Sequence, residues 1–149
     1  MLRSTNPREF LTKAEAEAIN SAINVAERSS SAELKLVLAR HCWCDLKAKA
    51  HNIFSELDLD RTEQRNCILL MLVVSNREFL IYGDQGIHEK VGQDFWDDIR
   101  DDMVNAFVRD EFGEGLSTAI RQIGEKLALY FPFHQDDTDE VSNEIIYRS

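Results

Sequence analysis

Apolar residues recur at helical spacing through Ala16, Ile19, Ala22, Ile23 and Ala26, which predicts an amphipathic helix with a narrow apolar stripe. Thr12-Lys13-Ala14-Glu15 in front of it is a capping box, in which the Thr hydroxyl and Glu15 each satisfy an orphan backbone N–H. Ser29-Ser30-Ser31 ends the helix. The period then changes to two. Ala32, Leu34, Leu36 and Leu38 fall on one face of a strand running to Ala39, with Glu33 and Lys35 on the other. Asp45 caps a second helix to about Leu57, with Leu46, Ala50, Ile53, Phe54 and Leu57 facing inward. Cys67 to Val74 shows no polar alternation and reads as a strand covered on both faces. Ser75-Asn76-Arg77 is turn chemistry, and Glu78 to Tyr82 returns as the second arm of a hairpin. From Ile87 the pattern is helical again. Asp94 to Val108 carries Phe95, Trp96, Ile99, Met103 and Phe107. Glu114 to Tyr130 carries Leu116, Ile120, Ile123 and Leu127, and Pro132 stops it.

A strand–helix–strand unit implies two parallel strands joined by a crossover, and helices left over on either side of them imply layers. The expected fold is therefore α/β: a Rossmann-like, three-layer α/β/α sandwich on a small mixed sheet. Residues 1–11 form a flexible arm, 12–132 the domain, and 133–149 an acidic tail expected to be mobile. The topology also sets the loops. The hairpin outlet Gly83-Asp84-Gln85-Gly86 must emerge at the same edge as the entrance to the central strand, Asp58 to Asn66.

Charge narrows the function classes. The chain has 149 residues, with 17 Lys plus Arg against 27 Asp plus Glu, a formal net charge of −10. That argues against nucleic acid and against an anionic membrane surface. The opening MLRSTNPREF has no apolar h-region, and the longest apolar run, Cys67 to Val74, is well short of the roughly 20 residues that span a bilayer. Three cysteines without framework spacing suit a reducing compartment, and the expected location is cytoplasmic.

The two facing loops carry a family likeness. Arg65-Asn66-Cys67-Ile68-Leu69-Leu70 resembles the entry to the central strand of TPM domains, with Cys67 where the family has glycine. Gly83-Asp84-Gln85-Gly86-Ile87 is similar to that family's Gly-x-x-Gly turn. Phe107-Val108-Arg109-Asp110-Glu111-Phe112-Gly113-Glu114-Gly115 is similar to the loop before its last helix. The resemblance runs from about Phe10 to Pro132. It implies an α/β/α sandwich, divalent-cation binding and, in some members, hydrolysis of phosphate esters or nucleotides.

On this reading Asp84, Arg65 and Arg109 are the candidate catalytic residues. Asp84, Asp58, Asp60, Asn66 and Asp110 are the candidate ligands for Ca²⁺ or Mg²⁺, since hard oxygens suit those ions. Gly83 and Gly86 permit positive φ, so that backbone N–H groups can turn toward a phosphate ahead of the following helix. The plain alternative is a turn in which Asp84 caps that helix. The expected function is a metal-assisted phosphate-ester or nucleotide hydrolase of low specificity. The alternative is a non-catalytic cation-binding module with a protein partner in place of a small phosphorylated molecule. No Gly-x-Ser-x-Gly elbow, P-loop or Cys-x₅-Arg loop occurs, so hydrolysis requires a metal-bound water. Asp97, Asp98, Asp101 and Asp102 fall opposite the apolar face of their helix and read as a solvated face, with weak cation binding as the alternative. His41-Cys42-Trp43-Cys44 reads as a strand end, because zinc needs four ligands and only His51 is near.

Overall fold

The computed structural model describes residues 3–43, 45–133 and 145–148. The capping box forms as the sequence dictates: the Thr12 hydroxyl accepts from the Glu15 N–H at 3.1 Å, and Glu15 accepts from the Thr12 N–H at 2.9 Å. It opens α2 (Lys13–Ser29), which leads into β1 (Glu33–Ala39), α3 (Leu46–Glu56) and β2 (Cys67–Val73). A hairpin gives β3 (Glu78–Gly83), followed by the short α4 (Gln85–His88), α5 (Gln93–Val108) and α6 (Phe112–Tyr130).

The sheet order is β3-β2-β1-β4, where β4 is Ile146–Arg148. β1 and β2 run parallel, in register from Glu33↔Cys67 to Ala39↔Val73, and β3 is antiparallel to β2. Side chains alternate across the pleat. Leu34, Leu36, Leu38, Ile68, Leu70 and Leu72 enter the core shared with α2, α5 and α6. Val37, Cys67, Leu69, Met71 and Val73 meet Ala50, Ile53 and Phe54 of α3. The fold is thus the expected three-layer sandwich. Its lower edge gathers the starts of β1 and β2 with the end of β3, and its upper edge is the opposite rim.

Three expectations change. The N-terminal arm is packed from Arg3 onward: α1 (Pro7–Phe10) forms, and Phe10 is buried edge-on against Phe112 at 4.9 Å. The end of the expected mobile tail is β4, parallel to β1 through Val37↔Ile146. Residues 134–144 of that tail, and Cys44, lie outside the described residues. Glu33 and Lys35 are buried instead of facing water, because β1 is an interior strand with α3 covering its second face. The helix of the solvated acidic face does present Asp98, Asp101 and Asp102 to solvent. Trp43 is exposed, with His41 tilted against its ring, at the upper rim.

Candidate functional site

The loop from α3 to β2 is built to deliver one cation. Asp58 takes a left-handed conformation (φ 58°) that breaks α3, and Leu59 anchors the following 3-10 turn, Leu59–Arg61, in the core. The Thr62 carbonyl accepts from the Arg65 N–H at 3.2 Å, and the Thr62 hydroxyl accepts from the Asn66 N–H at 3.2 Å. Arg65 is left-handed as well, with φ 52°. Such a conformation is uncommon for a residue with a Cβ and needs surrounding structure to hold it.

What holds it is Asp84. Nε of Arg65 donates to Oδ2 at 2.7 Å and Nη2 donates to Oδ1 at 2.8 Å, a two-point charge-assisted pair. Oδ1 also accepts the Gln85 N–H at 2.8 Å, so Asp84 caps α4 while pairing with the arginine. The carboxylate is 6% exposed, whereas the Arg65 side chain is 40% exposed. The Asp84 hydrogen bonds, with its charge and that of Asp60 behind them, hold Arg65 above its ordinary pKa against a smaller opposing effect of desolvation. Nη1 of Arg65 lies outside the pair.

The glycines serve this lock and not an anion cradle. Neither Gly83 nor Gly86 has positive φ. The Gly86 N–H donates to the Arg65 carbonyl at 2.9 Å, and the Asp84 N–H donates to the Cys67 carbonyl at 3.0 Å. A Cβ on Gly86 would sit 2.4 Å from the Gln64 carbonyl oxygen and 2.6 Å from that of Arg65. Glycine is required there by close backbone approach, and the Gly86 N–H is spent on the Arg65 carbonyl instead of facing a phosphate.

The other candidates separate into two groups. Asp58, Asp60 and Asn66 share the lower edge with Arg65. Asp58 pairs with Arg61 at 3.3 Å on the surface. Asn66 is 1% exposed; its Nδ2 donates to the Ser31 carbonyl at 3.3 Å, and its Oδ1 has no hydrogen-bond partner. Arg109 and Asp110 are at the upper edge. Asp110 meets Arg77 of the β2–β3 turn at 3.7 Å, at the far end of β3 from Asp84. A strand of six residues puts those ends about 17 Å apart, so Arg109 and Asp110 do not share one site with Arg65 and Asp84. Arg109 itself pairs with Glu111 at 3.2 Å. Among the described residues, no group of three or more His, Cys, Asp or Glu side chains is placed to hold a metal ion.

The upper edge has a centre of its own, which the capping box signalled only in part. Glu15 accepts from Arg3 at 2.6 and 2.8 Å, from the Thr12 N–H at 2.9 Å and from the Gly113 N–H at 3.1 Å. Hydrogen bonds from Arg3 do most to lower its pKa to about 2, against the opposing effect of burial. Burial also pushes the Cys67 thiol well above its ordinary value. A groove of about 720 Å³ is at neither rim but along the seam of α5 and α6.

The sequence of residues 4–126 matches the family model described as the TPM domain. The structure is similar to that of the BA42 protein from the psychrophilic bacterium Bizionia argentinensis, with a TM-score of 0.89 and 37% identity over 97% of this chain and 99% of that one. The N-terminal domain of a P. gingivalis protein shares the fold at a TM-score of 0.64 and 22% identity, covering 84% of this chain and 82% of that one. No curated protein matches the chain. No helix among the described residues is long and apolar enough to cross a membrane.

Proposed function

The chain belongs to the TPM domain family, and from that premise we propose that its lower edge binds a small phosphorylated ligand through Arg65. On this reading the domain is a binding module, and Asp84 is the group that aims the arginine. The carrying observation is the two-point pair itself. It fixes the guanidinium plane from a buried carboxylate and leaves Nη1 outside the pair on a side chain that is 40% exposed, the arrangement that suits a second, planar contact with an oxyanion.

A divalent cation is the second component of the proposal. With Asp84 engaged by Arg65, the oxygen donors that the sequence puts forward at this edge are the Asp58 and Asp60 carboxylates, the former paired with Arg61, and the orphaned Oδ1 of Asn66. These are hard donors of the kind that take Ca²⁺ or Mg²⁺, and a bound ion would offset the charge of a phosphate beside them. The chemistry of the edge favours binding over hydrolysis. Cys67 is buried as a thiol, the Gly86 N–H is engaged by the Arg65 carbonyl, and Arg109 is on the opposite rim.

The test is a titration of the full chain with inorganic phosphate and with ATP, each with and without Mg²⁺, followed by amide chemical shifts. Shifts should centre on residues 58–66 and 84–86. Arg65→Ala should weaken binding by about tenfold, the usual size of one lost charge-assisted contact. Asp84→Asn should weaken it less, and Arg109→Ala should leave it unchanged. Equal affinity in wild type and Arg65→Ala refutes the assignment. Release of phosphate from ATP that is abolished by Arg65→Ala would make the edge a hydrolase site instead.

A further inference from the structure

The groove between α5 and α6 plays no part in the lower edge, yet it is a sizeable concavity of the described surface. Its main section, about 720 Å³, has Phe95, Ile99 and Leu129 as apolar lining, with Asp98, Asp101, Asp102 and Glu125 around them. A second section of about 290 Å³ continues it past Asp102, adding Glu111 and Glu114. The two sections share Asp102 and follow the seam of the helix pair.

Three features describe what would fill it. Leu129 is 75% exposed, an apolar side chain standing in water beside the partly buried Phe95 ring. Among the described residues Asp98, Asp102, Glu114 and Glu125 make no ion pair, whereas Arg109 is paired with Glu111 and Lys126 sits over the Phe95 and Tyr130 rings at 5.4 and 5.7 Å. Oε1 of Gln122, in the lining, is buried without a hydrogen-bond partner and accepts only. The groove therefore offers an apolar strip and a rim of uncompensated carboxylates, with a buried, unpartnered acceptor beneath them. A second copy of this chain, itself at −10, is the wrong occupant electrostatically.

We propose that the α5–α6 seam is a docking groove for a cationic amphipathic helix of another protein, its apolar stripe on Phe95 and Leu129 above the buried Ile99 and its Lys or Arg residues against Asp98, Asp102 and Glu125. The groove follows α5, whose 16 residues span about 24 Å, so it accommodates a helix of about four turns. Helix-in-groove recognition of this kind reads apolar anchors at i, i+3, i+4 and i+7, while the charges set orientation and encounter rate. This inference is independent of the phosphate-binding proposal, because no residue is shared.

The experiment uses a synthetic peptide of about 16 residues with Leu at those helical spacings and Lys elsewhere, and a scrambled peptide of identical composition. Amide shifts on the full chain should map to α5 and α6 for the first peptide. Leu129→Ser should weaken it about tenfold, as should Asp98→Asn combined with Asp102→Asn. Glu17→Gln combined with Glu89→Gln removes as much charge from outside the groove and should change affinity by less than about twofold at moderate salt. Leu129, Asp98 and Asp102 are all exposed, so these variants should fold; matching thermal unfolding checks that. Equal binding of the scrambled peptide, or equal loss from both charge-neutralising pairs, would show diffuse attraction to an acidic protein and overturn the proposal.

Discussion

Replacing Glu15 by Gln removes the charge that ties three distant segments together at the upper rim. The carboxylate holds Arg3, whose guanidinium lies over Phe10 and Phe112 at 5.4 and 5.0 Å, and it accepts from the Gly113 N–H that starts α6. A pKa lowered from 4.5 to about 2 corresponds to about 3 kcal/mol between the charged and neutral forms in the folded state. Solvent screening discounts this, because the Glu15 and Arg3 side chains are 20% and 13% exposed and sit at the rim; about 1–2 kcal/mol is the realistic contribution. The folded-state pKa is depressed, so this stability is complete above about pH 4.5 and is lost as the pH falls toward about 2. The assay is urea unfolding of wild type and Glu15→Gln at intervals from pH 7 to pH 2. At pH 7 the variant should be less stable by about 1–2 kcal/mol, or about 3–6 °C in Tm for a chain of this size. The gap should narrow through pH 4 and nearly close at pH 2. Comparing the two proteins at each pH removes the general effect of acid on a chain of charge −10. A gap that stays constant across the range would mean that shape, and not charge, is what the variant lost. An Arg3→Ala variant should be nearly insensitive to adding Glu15→Gln; full additivity would refute the pairing.

Gly86→Ala pushes a Cβ into two backbone carbonyls and should cost about 1–3 kcal/mol, with faster hydrogen exchange at the Gly86 amide that donates to Arg65. Unchanged exchange at that amide would show that the loops are not locked. Leu70→Asp places an unpaired charge among side chains buried from both sides and should cost on the order of 5 kcal/mol, enough to lose the cooperative unfolding transition. A folded variant of near-wild-type stability would contradict the central position of β2. Cys67 is a buried thiol of raised pKa, so alkylation by iodoacetamide at pH 8 should be slow in the native state and should accelerate on unfolding. Native labelling at the rate of an exposed thiol would refute its burial.

The elements of this fold are written locally, and that is why the sequence alone determined them. The capping box, the helical stripe of α2, the unbroken apolar run of β2 and the Ser-Asn-Arg turn each specify a conformation within a few residues. Their order then determined the layers and placed Asp84 beside the loop that carries Arg65. What the sequence did not determine is what those residues do on meeting. Asp84 reads equally as a metal ligand or a cap until its partner 19 residues away is seen to occupy both of its oxygens. The Gly-x-x-Gly turn reads as an anion cradle until Gly86 is found against two carbonyls, a steric demand from another segment that leaves no local mark. Glu33 and Lys35 read as a polar face because a strand cannot announce that a helix covers its second side. Arg109 and Asp110 resemble their family loop, but they end α5 at the other rim, the length of β3 away from Asp84. Glu15 was legible as a cap through its contact three residues back, whereas its bonds to Arg3 and to Gly113, 98 residues away, exist only once α2 and α6 are packed. Spacing along the chain fixes conformation; which charges lose their water, and to whom, is decided by segments that only the tertiary fold brings together.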